Sequence, residues 1–238
     1  MDALRKKLAD SPLLARVLPF VIFVGLTVFQ GEFGDASKYW VYAGKTAVGV
    51  WLVWLVWPLV TEMRWKFSVP AVLVGIAVFV VWVGLDPWYP KTSELFVKLG
   101  LSKAKPAAEQ AAAVWNPHVA FGHGAILAWF FILVRIVGST LVVPPIEEAF
   151  YRSFLYRFIA KSDFTSVSLK QFLPVPFLVT VAFFGLAHEQ WLAGLICGAA
   201  YQWLVLRSGS LGEAMTAHAV TNCLLGIWVA WKGAWQFW

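Results

Sequence analysis

The feature that most constrains this chain is a series of long apolar runs that neither alternate nor break for charge. They fall at 13–30, 38–60, 69–85, 119–143, 174–189, 190–206 and 211–231. A helix of about 20 mainly apolar residues is long enough to cross a bilayer. Inside lipid every backbone polar group must be satisfied within the protein, which leaves helices or a closed barrel. A barrel strand alternates apolar and polar residues; these runs are continuous, so helices are expected. Composition agrees, with 60% hydrophobic and 13% charged residues, against about 25% charged in an ordinary soluble domain. The fold class predicted is all-α: a polytopic integral membrane helical bundle of about eight helices. The eighth, 145–160, is apolar but carries Glu147, Glu148, Arg152 and Arg157. It follows Pro144 and is expected to start at Pro145, since a helix's first turn loses nothing by proline's missing N–H.

Residues 86–118 form the one long polar break, read as a loop with one or two short interfacial helices and an Ala-rich stretch ending at Asn116-Pro117. No internal repeat is evident. Arg5, Lys6 and Lys7 precede the first run, Glu32 and Asp35 follow it, and Arg64 and Lys66 follow the second. The bias of Lys and Arg toward the cytoplasmic side then places the N-terminus inside. No small-residue cleavage site follows the first run, so it reads as an uncleaved span and not a signal peptide. The net charge of +6 sits between the apolar runs, with no basic patch among polar residues of the kind nucleic-acid binding needs. Fifteen tryptophans suit membrane-interface belts. Cys197 and Cys223 lie in apolar stretches, far from C-x-x-C spacing, and read as buried thiols.

Ionisable groups inside membrane segments are costly and usually mark function. Here they fall into three short constellations. In Glu147-Glu148-Ala149-Phe150-Tyr151-Arg152, Glu148 and Arg152 are i and i+4 and pair on one helix face. Glu147, about 100° around the axis, points elsewhere and is left free as a general base. The structural alternative is a pair of acids favoured by a helix N-terminus. In Phe184-Gly185-Leu186-Ala187-His188, the aromatic shares a face with the imidazole. His188-Glu189-Gln190-Trp191-Leu192 lacks the second histidine of a zinc-protease H-E-x-x-H motif. In the last run, His218 and Asn222 are again i and i+4, and inter-helix hydrogen bonding alone would explain them. Taken together, the three helices bring Glu147, Glu148, His188, His218 and Asn222 into one polar cluster. It holds a carboxylate and an imidazole to activate water and an imidazole and an amide for a developing oxyanion. For His188 and His218 both to meet Glu147, the spans must differ in length or tilt, since His188 ends its run and His218 lies inside another.

Glu-Glu-x-x-x-Arg, Phe-x-x-x-His and His-x-x-x-Asn, in this order on late helices, resemble the CAAX-processing and bacteriocin-processing protease family, also called the Abi or type II CAAX endopeptidase family. All three motifs match without a departure, and the resemblance covers about 119–230. It implies an eight-helix intramembrane endopeptidase. Glu147 would be the base, assisted by His188. Glu148, Arg152 and Phe184 would support it, and His218 and Asn222 would stabilise the oxyanion. Residues 1–118 would be N-terminal transmembrane helices and a long loop. Residues 119–238 would be the catalytic helical core of the same single membrane domain. The chain resembles the bacterial branch called CAAX prenyl protease-related. This implies a bacterial inner (plasma) membrane and a membrane-protein or C-terminally tagged peptide as substrate, with the lipid bilayer as the other partner. A prenylated cysteine is not the substrate expected. No cofactor is expected either: a Glu/His/His set has the donors of a zinc site, but no ligand pair shows the tight helical spacing of a dedicated one.

Two other functions fit the same residues: a non-catalytic membrane scaffold that keeps the polar cluster for packing, and a proton-relay transporter. The absence of inverted repeats counts against the transporter. Outside the cluster, His118 and His123 read as interfacial, and Glu213 as an acid favoured by a helix start. Arg135 is costly inside its run and has two readings, pairing with a site carboxylate or snorkelling to the interface. Gly194-x-x-x-Gly198 permits close helix approach within the chain.

Overall fold

The computed structural model describes residues 2–104, 106, 109 and 113–238. Part of the Ala-rich stretch of the long loop lies outside the described residues. Among the described residues the elements are helical and no strand occurs. The helices are α1 (Asp2–Ala9), α2 (Pro12–Gly25), α3 (Ser37–Val56), α4 (Val69–Leu85), α5 (Thr92–Lys98) and α6 (Pro117–Phe121). There follow α7 (Ile126–Leu141), α8 (Val143–Glu148), a π-helical stretch (Ala149–Leu155) and α9 (Tyr156–Ala160). The last three are α10 (Pro174–Leu186), α11 (Trp191–Ser208) and α12 (Gly212–Lys232).

Local chemistry sets many of these boundaries. Ser11 and Ser68 cap α2 and α4, accepting from the backbone N–H of Leu14 and of Ala71, with a proline in the first turn of each helix. Such a pairing satisfies orphan donors and pre-sets the helical φ. Gly209 and Gly233 end α11 and α12 in the left-handed conformation, which glycine adopts without a Cβ clash. Among the described residues, four helical stretches are long and apolar enough to cross a membrane: Pro12–Phe29, Val69–Lys98, Ile126–Ala160 and Gly212–Lys232. α3 and α11 have the length, but Lys38 and Lys45 in one and Gln202 and Arg207 in the other lower their hydropathy.

Within 119–160 the structure differs from the sequence reading at three points. The span expected from 119 starts at Ile126, because Gly122 and Gly124 take positive φ and separate α6 from α7. The helix expected to start at Pro145 starts at Val143, with Pro144 and Pro145 both in its first turns. Finally, 145–160 is not uniformly α-helical: the turns just after Glu148 widen to a π-helix, a feature frequent at functional sites.

The bundle is built by close backbone approach. α4 lies along α12, and α10 along α11. A Cβ at Gly75 would come within 2.6 Å of the Ala217 carbonyl oxygen, and one at Gly194 within 2.9 Å of the Gly185 Cα. Gly194 and Gly198 therefore pack helices within the chain, against Gly185 and Phe184 respectively. The Thr221 hydroxyl donates to the Gly75 carbonyl at 2.9 Å, locking α12 to α4 beside His218 and Asn222.

At one end of the bundle Glu62, in the α3–α4 connection, gathers two guanidinium groups. Arg16 of α2 reaches it at 2.7 Å and Arg157 of α9 at 3.0 Å, with the Ser153 hydroxyl on the same oxygen. Burial acts to push the Glu62 carboxyl up, but Arg16 and Ser153 outweigh it and hold the group below the usual carboxylate range. A depressed folded-state pKa contributes stability that is fully present above the unfolded value, about 4.3 for glutamate, and is lost as pH falls through the folded one. Thermal melting in detergent is expected to show the midpoint dropping as pH is lowered below about 4.3, with a smaller drop in Glu62→Gln. Gly75→Val is expected to destabilise the chain by about 1–3 kcal/mol through overpacking of α4 on α12, read by the same melts.

Candidate active site

The four polar motif residues that matter most come from three places in the fold and meet at one cavity. Glu147 lies in the last turn of α8, His188 follows α10, and His218 and Asn222 lie on α12. All four line a cavity of about 300 Å³, with Phe184, Trp82 and Tyr201 among its walls. The difference in span length that this requires is present. α10 has 13 residues and α12 has 21. At about 1.5 Å per residue, α10 rises only about 20 Å, short of the roughly 30 Å hydrocarbon core. Its end brings His188 to the same cavity as His218, the seventh residue of α12.

Two shells of polar contact separate the roles of the paired glutamates. Glu148 is fully buried, with one oxygen 3.1 Å from His218 Nδ1 and the other 3.3 Å from Arg152 Nε. The Arg152 contact is an ion pair by distance without hydrogen-bond alignment. Arg152 is also fully buried, its guanidinium 4.6 Å from the centre of the Phe184 ring. The i, i+4 pairing read from the sequence is thus present. Glu147 turns the other way, into the cavity, and one of its carboxylate oxygens is buried with no hydrogen-bond partner.

The histidines are fixed by what their Nδ1 atoms face. His188 Nδ1 is 2.7 Å from the Phe184 carbonyl oxygen. A carbonyl only accepts, so Nδ1 carries the proton and Nε2 of a neutral ring keeps its lone pair. Trp82 meets the ring edge-on with centroids 5.4 Å apart, and Phe184 packs at 4.8 Å. His218 is 5% exposed and stacks on Tyr201 at 5.2 Å. The Asn222 amide donates to the Ser139 carbonyl of α7 at 2.8 Å, which leaves its second N–H unspent. Among the described residues no three His, Cys, Asp or Glu side chains converge as metal ligands.

Sequence reasoning missed several contributors. Lys45 of α3 lines the cavity; as a cation inside an apolar run, it carried a signal that could have found it. Trp82 and Tyr201 gave no signal, because ring packing has no sequence spacing across helices. Arg135 makes no ion pair with a carboxylate among the described residues. It points into the cavity with its guanidinium 4.4 Å from the Trp115 ring centre and 5.0 Å from that of Tyr42. The loop 86–98 proves to hold the His188 turn. The Thr92 hydroxyl donates to the His188 carbonyl, the Thr92 amide to that of Glu189 at 2.9 Å, and Trp191 Nε1 to Pro90 O at 2.9 Å. The remaining candidates lie apart from the cluster. His118 and His123 stack on each other at 4.7 Å beside Trp129 and Trp235. Glu213 pairs with Lys66 and Arg207.

Ionisable groups gathered at a cavity inside apolar helices are a candidate functional site. Residues 127–224 match the family model for Type II CAAX prenyl endopeptidase Rce1-like, so this segment is similar to that peptidase family. The match spans the Glu147-Glu148 motif, Phe184, His188, His218 and Asn222. No curated protein and no solved structure matches the chain. The apolar helices and the family together make it an integral membrane protein.

Removing one member of a buried ion pair leaves the other uncompensated, at about 3–5 kcal/mol. Glu148→Ala is therefore expected to lower stability by about that amount, measured by denaturant melting in detergent. Glu148→Ala combined with Arg152→Met is expected to recover part of the loss.

Proposed function

We propose that this chain is an intramembrane endopeptidase that uses a glutamate- and histidine-activated water. The observation that carries the reading is Glu147, which lines the same cavity as His188, His218 and Asn222 and has a carboxylate oxygen without a hydrogen-bond partner among the described residues. Helix packing alone does not call for a carboxylate beside two imidazoles and an amide on one cavity wall, which favours this reading over a non-catalytic scaffold.

The chemistry follows from proton positions. A water held between the Glu147 carboxylate and the His188 Nε2 lone pair loses a proton to Glu147 as its oxygen attacks the scissile carbonyl carbon. The oxyanion that forms takes the free N–H of Asn222 and, from His218, the Nε2–H of an imidazolium. The Nδ1 of His218 faces Glu148, which orients the ring toward the oxyanion. Arg152 orients Glu148 in turn. When the C–N bond breaks, the proton on Glu147 passes to the departing amine, and the new carboxyl keeps the water's oxygen. The reading needs no cofactor. The substrate is a membrane protein or C-terminally tagged peptide and the setting a bacterial inner membrane, consistent with the likeness to the bacterial branch of the family.

Mass spectrometry of membrane-protein termini tests this in cells carrying the wild-type chain or Glu147→Gln. The expected result is a small set of proteins with trimmed ends in the wild type alone, a loss of at least about 10²-fold without the base. Equal termini at equal protein abundance overturn the proposal and move the scaffold reading ahead.

A further inference from the structure

A groove of about 660 Å³ lies apart from the Glu147 cavity, where α1 and α3 meet the α7–α8 junction. Its walls are Val50, Val53 and Trp54 of α3, Trp57 just beyond it, and Leu141 and Val142 at the junction. Arg5 of α1 is the one charged residue that lines it among the described residues. The Arg5 guanidinium lies 5.0 Å from the Trp54 ring centre. Its Nε is buried and has no hydrogen-bond partner. The Arg64 guanidinium lies 5.1 Å from the ring centre of Trp57 and donates through Nη1 alone, to the carbonyls of Trp57 and Met63. Lys6 and Lys7 stand exposed beside Arg5. A buried donor without an acceptor is costly, and a guanidinium fork with unspent donors matches a phosphate.

We infer that this groove binds one anionic phospholipid, with its phosphate on Arg5 and one acyl chain between α3 and the α7–α8 junction. Val50, Trp54 and Leu141 are exposed along the groove, so it opens to the surface and not into the bundle. From Trp57 to Val50 the walls run about 10 Å along the helix axis, within the roughly 15 Å of hydrocarbon in one leaflet. An acyl chain gains little by leaving other acyl chains. Arg5 therefore supplies the preference and the apolar walls supply the fit. The same bias of Lys and Arg that puts the N-terminus inside puts this groove at the leaflet surface with the negative potential. A free phosphate leaves the apolar walls unused, and a helix of a second copy leaves Arg5 without an anion; an anionic lipid meets both demands. The inference does not depend on the endopeptidase reading.

Native mass spectrometry of the full chain tests this, with detergent micelles titrated with phosphatidylglycerol or with phosphatidylcholine of the same acyl chains. One phosphatidylglycerol is expected to be retained at least about tenfold more tightly than phosphatidylcholine, the scale of one charge-assisted hydrogen bond. Arg5→Gln is expected to abolish that preference, and Arg5→Lys, which keeps the charge, to retain part of it. Leu141→Trp fills the groove from an exposed position, leaves every cation in place, and is expected to lose the retained lipid. Should Arg5→Gln melt below the wild type in phosphatidylcholine, the comparison of Arg5→Lys with Leu141→Trp decides. Equal retention of the two lipids by the wild-type chain overturns the inference, as does a preference that survives Arg5→Gln in a folded chain. A preference that survives Leu141→Trp assigns it to surface attraction by Lys6 and Lys7 and overturns the groove. Adducts of inorganic phosphate that need Arg5, with equal retention of the two lipids, assign Arg5 to free phosphate and overturn the lipid. A lipid-free dimer that Leu141→Trp dissociates assigns the groove to a second copy and overturns it likewise.

Discussion

Glu148 is buried completely, between a guanidinium and an imidazole, in a protein whose surroundings offer little water. A charge in that position is tolerated only if it is paired from more than one side. Arg152 pairs with it from the same helical run and His218 from α12, so this one requirement ties α8 to the last helix across the bundle. It also fixes which way the neighbouring glutamate faces. With Glu148 committed inward to its two partners, Glu147, one residue earlier, is directed to the cavity. The π-helical turns that begin at Ala149 keep Arg152 over Glu148 while the chain runs on to Arg157 and the second charge cluster at Glu62.

The rest of the site is held by neutral groups, as a low-dielectric interior favours. His188 gives its proton to a backbone carbonyl, Asn222 to another, and Thr221 to a third on α4. Each of these bonds anchors a cavity-lining side chain to a helix other than the one that supplies the chemistry, or to the turn before it. Glycines at 75, 185 and 194 make the approach close enough for such short bonds. Rigidity here comes from contact between backbones, the packing mode expected where lipid supplies no hydrophobic drive between helices.

The long loop shows how support can be invisible in a linear reading. Thr92 and Pro90 clasp the His188–Trp191 turn, yet a threonine after a lysine and a proline carries no spacing signal toward a residue about a hundred positions away. Lys45 differs: a cation inside an apolar helix is conspicuous on energetic grounds alone. Arg135 was conspicuous too, but its partners are ring faces from three separate segments, and only folding brings those together.

By itself the sequence determined the class of fold and the identities in the cluster. Uninterrupted apolar runs admit only helices in lipid, and the few ionisable residues inside them had to converge because none can stay in hydrocarbon unpaired. The i, i+4 relation of Glu148 and Arg152 was equally legible, being a property of one helix. What only the tertiary structure decided was every relation between helices: the 13-residue α10 whose end brings His188 to the cavity of His218, the stacking of His218 on Tyr201, and the two cations sharing the Glu147 cavity. Helical periodicity fixes the face of a single helix, whereas the depth, tilt and neighbours of that face are set by packing among all of them.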